Sequence, residues 1–470
     1  MAIFLSFGWP FSARGDTYIV DLLQKHFGTT NPTELSIVKR DFPFRVRADL
    51  QRAIDSIIDS SGPVRVMGFC GVPQQHALQG IDFGSLLIRA HRMLRTPAAT
   101  PEYEELDIGE DQPARCVKSG LWLLERNGHR FAVLLAAGVD MLTQTRSLSI
   151  QFATRPDDAG TQLRDQFFRQ MERAVNESRS YRGKILSLEQ ERTYDGKSSG
   201  IRVHRLNTVE RSQVILPAKT LELLDRNVIQ FASVRETLRT RGQSTRKGLL
   251  FYGPPGTGKS HTIHYLAKAL RGHTMLLITA EQVGLLNEYM ALARLLQPSV
   301  VVIEDADLIA RDRTQMNSAC EEALLNKLLN EMDGLRESAD ILFILTTNRP
   351  EMLEAALASR PGRVDQAIEF PLPDDNGREK LVRLYSARAP LSEELVRMIV
   401  ARTDKVSAAF IKELMRRAIQ FNLERSAGDP LHAEDVNNAL EEMLFTGGSL
   451  NIRLLGGAAQ NGGNGSPAPM

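Results

Sequence analysis

The residues with the clearest chemical potential lie in one short run, GPPGTGKSH, residues 253–261. Gly253 is followed by four residues and then by Gly258, Lys259 and Ser260, between the apolar run GLLFY and the amphipathic run HTIHYLAKAL. In a strand–loop–helix of this kind, successive backbone N–H groups turn inward around phosphate oxygens, and the helix adds its positive N-terminal end. The lysine reaches the outer phosphates of a nucleoside triphosphate, and the hydroxyl after it ligates the Mg2+ ion that bridges them. Gly253, Pro254, Pro255, Gly256, Thr257, Gly258, Lys259, Ser260 and His261 are therefore assigned to nucleotide binding, with Ser260 also on the metal. The competing reading is an ordinary Gly/Pro turn, which the full pattern in this context strongly disfavours.

Such a loop needs a partner that holds the metal and polarises a water. In SVVVIEDADLIA (299–310), the apolar residues Val300 to Ile303 run into Glu304 and Asp305. Consecutive residues leaving a strand point to opposite sides. That register puts Glu304 at the metal and Asp305 at the attacking water. The more usual order is Asp then Glu; the exchange keeps both carboxylates and changes their reach. A disabled pair and a plain strand end are the alternatives. Asn348 ends the apolar run ILFILTT, where an amide can contact both the terminal phosphate and the water; it also suits a turn. Arg360 and Arg363 flank a Pro–Gly turn in SRPGRVD. Arginines in an exposed turn are usually solvated, but they stabilise transition-state charge where a neighbouring subunit brings its nucleotide within reach.

The elements that must position these groups follow from hydrophobic periodicity. From about 211 the apolar runs GLLFYG, TMLLITA, VVVIED and ILFILTT alternate with amphipathic helical runs, including EALLNKLLNEM, which predicts a parallel sheet covered on both faces. After FPLPDD (370–375) the strands stop and residues 377–444 read as three or four helices. The expected division is an α/β region over 1–210, an α/β nucleotide-binding region over 211–375, a helical lid over 376–446 and a Gly/Pro-rich disordered end over 447–470. Within 1–210, residues 46–59 and 162–178 read as helices, 64–72, 130–138 and 181–189 as strands, 96–114 as a loop, and MAIFLSFGWPF as a buried first strand, with a short membrane or partner anchor as the alternative. No motif carrying chemistry precedes residue 250.

With 470 residues, two or three domains are expected, and 42% hydrophobic against 24% charged residues predicts a packed core rather than disorder. Lys+Arg 58 against Asp+Glu 57 gives no electrostatic reason for nucleic acid or membrane as main partner. Cys70, Cys116 and Cys320 are too few and scattered for a disulfide framework or a cysteine-based zinc site. No run is long enough to span a bilayer and no signal peptide is recognisable, so a cytosolic location is expected.

GPPGTGKS, VVVIEDAD, LLNEMDGL, TTNRPE and SRPGRVD occur in the order and approximate spacing of the AAA family of ATPases, which residues 212–445 resemble. The resemblance implies a P-loop NTPase fold with a small all-α lid, and ATP with Mg2+ as cofactors. It also implies a homo-oligomeric ring, commonly a hexamer, in which hydrolysis remodels a macromolecule. Carried over, Lys259 and Ser260 look like the first Walker motif and Glu304/Asp305 like the second. Asn348 looks like the first sensor, Arg360 and Arg363 like trans-acting arginine fingers, and Asp333 like the residue that signals across the subunit boundary. KVSAAFIKELMRRA (405–418) replaces the family's small-residue stretch in the lid and shows no second-sensor arginine.

The Glu–Asp order is similar to the mitochondrial branch that translocates a folded Rieske protein, whose membrane anchor is not found here. TAEQVGLLNEYMALARLLQPS lacks the aromatic–glycine pore loop of threading members. The expected activity is Mg-dependent ATP hydrolysis that remodels an unknown protein client, with residues 1–210 choosing it. A nucleotide-gated scaffold with weak hydrolysis and a nucleic-acid-directed motor are the alternatives.

Overall fold

The computed structural model describes residues 18–29, 31, 34–59, 65–69, 81–87, 95–139, 146–177, 180–189, 200–310, 330–332, 339–353, 363–386, 389–425 and 430–443. Arg360, Asp333, Cys70, Cys320, the N-terminal apolar run, most of EALLNKLLNEM and the C-terminal tail lie outside the described residues. The chain forms two compact units. It leaves the first at Arg182, returns at Glu189 and leaves again at His204. Among the described residues no helix is long and apolar enough to cross a membrane.

The first unit contains β1 (Ser36–Pro43), β2 (Arg65–Phe69), β3 (Ala98–Ala99), β4 (Tyr103–Leu106), β5 (Ala114–Val117), β6 (Gly120–Arg126), β7 (His129–Val139) and β8 (Arg146–Thr154). Six of them form an antiparallel sheet in the order β1-β8-β7-β6-β2-β3. The β6–β7 hairpin turns on Asn127 and Gly128, both left-handed (φ 52° and 77°), as a two-residue Asn–Gly connection requires. The helix Asp158–Asn176 buries Phe167, Phe168 and Met171, with Phe167 and Phe168 meeting Phe152 of β8 at 5.2 and 6.4 Å between ring centroids. It begins four residues before the periodic stripe because the Asp157 carboxylate caps it, accepting from the Gly160 N–H at 2.6 Å.

The stretch 96–114, expected to be a loop, contains β3 and β4, and β4 pairs with β5. The strands are short enough to fit between Pro97, Pro101 and Pro113, which delimit them rather than interrupt them.

The second unit contains β9 (Ile185–Leu188), after which β10 (Ile201–Val203) belongs to the first unit. It continues with β11 (Lys247–Tyr252), β12 (Thr274–Ile278), β13 (Ser299–Ile303), β14 (Ile341–Thr347) and β15 (Gln366–Glu369). Within this unit the spatial order is β9-β12-β13-β14-β11-β15, all parallel. Every residue of β13 and β14 is buried, as continuous apolar runs covered on both faces must be.

The register is what builds the site. Tyr252 lies opposite Thr347, so Gly253 and Asn348 leave the sheet side by side. Ile303 lies opposite Leu345, which brings the turn after β13, with Asp305, beside Thr346.

Four helices follow, Asp375–Ser386, Glu393–Arg402, Ala408–Arg425 and Ala433–Glu441, around a core that includes Val382, Ile399, Ile411, Met415 and Val436. Ser392 caps the second of them, accepting from the Leu395 N–H at 3.1 Å.

Candidate nucleotide-binding site

The loop after β11 turns back on itself because two of its glycines have no substitute. Gly253 sits at φ 148°, and a Cβ there would lie 2.2 Å from the Phe370 carbonyl oxygen. Gly256 is left-handed at φ 76°, and a Cβ would lie 2.8 Å from both the Ala409 Cβ and the Ser407 Oγ. Thr257 Oγ1 donates to the Pro254 carbonyl at 2.9 Å and closes the turn. The helix Lys259–Ala269 then begins with its free N–H groups facing the concavity.

Lys259 is 7% exposed. Its ammonium donates to the Gly253 carbonyl at 2.8 Å, the Pro254 carbonyl at 3.0 Å and Asn348 Oδ1 at 2.8 Å. Burial lowers its pKa to about 8, while Asp305 and Asp307 act in the opposite direction.

The acidic end departs from the strand-alternation argument. β13 stops at Ile303, so Glu304 and Asp305 lie in a turn rather than on extended chain. Asp305 is left-handed (φ 48°), which a short polar residue tolerates. Its N–H donates to Thr346 Oγ1 at 3.1 Å, and its Oδ1 accepts from Asn348 Nδ2 at 3.1 Å. The Asn348 amide is thereby oriented by partners of opposite kind, donating to a carboxylate and accepting from an ammonium. The Glu304 N–H donates to the Ile278 carbonyl at 2.9 Å. Asp305 lines the cleft; Glu304 is not among the lining residues.

Asp307, to which the sequence reading gave no role, is buried behind this pair. Its Oδ1 accepts from Thr347 Oγ1 at 2.9 Å and from the Asn348 N–H at 3.3 Å. The available signal was a third carboxylate two residues after Asp305, opposite the Thr–Thr end of β14.

The cleft has a volume of about 330 Å³. Its floor is the loop from Pro255 to Thr262, with Asp305, Thr346 and Asn348 at one end. The other end is walled by the linker Gln213–Leu216 and by Leu381, Tyr385, Ala408, Ala409 and Lys412 of the lid. Of these wall residues only Ala408, Ala409 and Lys412 lie in a stretch singled out from the sequence, KVSAAFIKELMRRA.

His261 joins the two ends. Its Nε2–H donates to the Gln213 carbonyl at 3.2 Å, which fixes the tautomer because a carbonyl only accepts. Burial lowers its pKa, against the opposing effect of the Gln213 hydrogen bond, and the neighbouring His264 and Lys412 lower it further. A backbone cradle with a lysine at one end and an apolar slot at the other fits a nucleotide: phosphates on the loop, base between Val214, Ile215 and Leu381.

Arg363 is not on an exposed turn. It is buried (7% exposed), and its carbonyl oxygen would lie 1.9 Å from a Cβ at Gly248. Asp365 Oδ2 accepts from the Gly248 N–H at 2.8 Å, and the Asp365 N–H donates to the Gly248 carbonyl at 2.8 Å. This segment is therefore stitched to the start of β11, at the opposite end of that strand from the phosphate loop.

Residues 249–372 match the family model described as "ATPase family associated with various cellular activities (AAA)". The chain is 32% identical over 219 residues to a proteasome-activating nucleotidase of Methanosphaerula palustris, covering 44% of this chain and 53% of that protein. It is 35% identical over 188 residues to a 26S proteasome regulatory subunit 6B homolog of Dictyostelium discoideum, covering 37% and 45%. It is 32% identical over 233 residues to an ATP-dependent zinc metalloprotease FtsH 1 of Methylacidiphilum infernorum, covering 46% and 36%. The match thus spans about half or less of the length of these relatives.

Proposed function

Through residues 249–372 this chain belongs to the AAA family of ATPases, and from that premise we propose that the whole protein hydrolyses ATP in a homo-oligomeric ring and remodels proteins or protein complexes. The observation that carries the reading is the chain Lys259–Asn348–Asp305 on the floor of the cleft. Lys259 neutralises the outer phosphates. Asn348 holds the Asp305 carboxylate through Oδ1, which leaves Oδ2 to accept a proton from an attacking water. Ser260 lines the cleft and would hold a magnesium ion, which supplies charge neutralisation at the outer phosphates; Glu304, outside the lining, would join it only if its side chain turns toward the cleft. The exchanged carboxylate order leaves an acid at both positions, which supports hydrolysis over a bare scaffold.

The names of two relatives tie them to the proteasome, one as its activator and one as a regulatory subunit, which supports the protein-directed reading, and residues before 210 are the natural client-choosing region. Arg360 and Arg363 are proposed to act on a neighbour's nucleotide. For Arg363 this requires its buried side chain to swing out when subunits meet.

Sedimentation with and without MgATP, beside a phosphate-release assay, tests the reading. A nucleotide-dependent shift to a ring-sized mass with steady phosphate release is expected. A monomer that releases no phosphate would contradict it.

A further inference from the structure

One side chain on the floor of the cleft has no part in the hydrolysis as drawn so far. Thr346 and Thr347 end β14 and, as neighbours on a strand, point to opposite faces of the sheet. The Thr347 hydroxyl is fully used: it donates to Asp307 Oδ1 at 2.9 Å and accepts from the Arg349 N–H at 2.9 Å. Thr346 is 2% exposed and lines the cleft with Asp305 and Asn348. Its hydroxyl accepts from the Asp305 N–H at 3.1 Å and, among the described residues, makes no other hydrogen bond.

That bond acts on an unusual piece of backbone. Asp305 is left-handed (φ 48°), a conformation that residues with a Cβ rarely adopt, aspartate being among those that tolerate it best. The turn it makes puts Asp305 in the cleft lining and leaves Glu304 outside it. Three groups of Asp305 are held. Its Oδ1 accepts from Asn348 Nδ2 at 3.1 Å, which orients the carboxylate but not the main chain. Its carbonyl accepts from the Leu308 N–H at 2.8 Å, which ties it to the helix that follows. The Thr346 bond fixes the N–H side, and with it the rotation about φ that decides where the side chain points.

We propose that Thr346 is a positioning residue for hydrolysis, its hydroxyl holding Asp305 in the left-handed turn that aims the carboxylate into the cleft. The inference rests on the assignment of Asp305 as the base that activates the water. The exchanged carboxylate order and the threonine then belong together: the shorter acid tolerates the left-handed turn, and the hydroxyl keeps it there. Because the loop and Lys259 hold the phosphates, Thr346 acts on the chemical step and not on nucleotide affinity.

Phosphate release and calorimetric MgATP affinity, measured on the full chain with Thr346→Val, Thr346→Ala and Thr346→Ser, test this. Thr346→Val keeps the shape of the side chain, Thr346→Ala cannot overpack, and both remove the hydroxyl. Each should lower kcat by about tenfold while MgATP affinity stays within about twofold of wild type. Thr346→Ser keeps the hydroxyl and should turn over within about twofold of the wild-type rate. Adding Thr346→Val to Asp305→Asn should lower the residual release by less than about twofold, since residues that act through one group are not additive. Turnover within about twofold of wild type in both hydroxyl-free variants would overturn the inference, as would a loss of affinity as large as the loss of rate. So would a further tenfold loss, about as large as in the wild-type background, when Thr346→Val is added to Asp305→Asn. A wild-type chain that released no phosphate from MgATP would overturn the hydrolysis reading itself.

Discussion

At its phosphate end the cleft is built from segments that leave neighbouring strands at matched heights, whereas its nucleoside end is built from a linker and a lid far apart in sequence. The first end is held by backbone register: Tyr252 opposite Thr347 and Ile303 opposite Leu345 leave Gly253, Asn348 and Asp305 almost no freedom. Its polar groups are each satisfied by a partner of the opposite kind, so removing one strands the next. The second end is held by packing and by single hydrogen bonds, His261 to Gln213 and Ala409 to Gly256. Damage at the first should therefore stop chemistry, and damage at the second should only loosen binding.

The sharpest way to break that contrast is Lys259→Ala. Phosphate release should fall by at least about a hundredfold, since the outer phosphates lose their cation and Asn348 loses its acceptor-side partner. Next is Asp307→Ala, which frees Thr347 and the Asn348 backbone without touching the cleft lining. Turnover should drop by about tenfold while KM for ATP stays within about twofold, as expected of a residue that positions Asn348. An equal loss in both parameters would move Asp307 from positioning to binding.

A pH titration of affinity sharpens the comparison further. Lys259 has a pKa of about 8 in the free protein, and phosphates favour the ammonium. Binding then takes up a proton above that pH. MgATP affinity should be greatest below pH 8 and should fall as pH rises from 8 towards 9.5, while Val214→Ala should leave the slope of that fall unaltered. The smallest effect is expected from Val214→Ala itself, which removes two methyl groups from the nucleoside wall. It should weaken ATP and ADP alike by about threefold, read by the same titration.

The same division governs what could be read before the structure. The phosphate loop, the apolar strands and the helical lid were legible because each depends on local chemistry: glycine spacing, continuous β-branched runs, 3.6-residue periodicity. The Glu304–Asp305 pair was legible as composition but not as geometry. Extended-chain alternation does not hold once the strand stops at Ile303 and Asp305 becomes left-handed. Asp307 was visible as a letter, but its task depends on which strand lies beside β13. Gln213, Leu381 and Tyr385 carried no signal, because a cleft wall assembled from distant segments leaves no spacing to detect. In the first unit, the acidic, proline-bounded stretch holding β3 and β4 concealed its strands.

The central claim is that Asp305, held by Asn348, activates the water while Lys259 and the loop hold the nucleotide. Asp305→Asn keeps the size and most of the hydrogen bonding of that side chain and removes its basicity. Measured side by side on this variant, MgATP affinity should stay within about threefold of wild type while phosphate release falls by at least about a hundredfold. Phosphate release at the wild-type rate by Asp305→Asn would contradict the account.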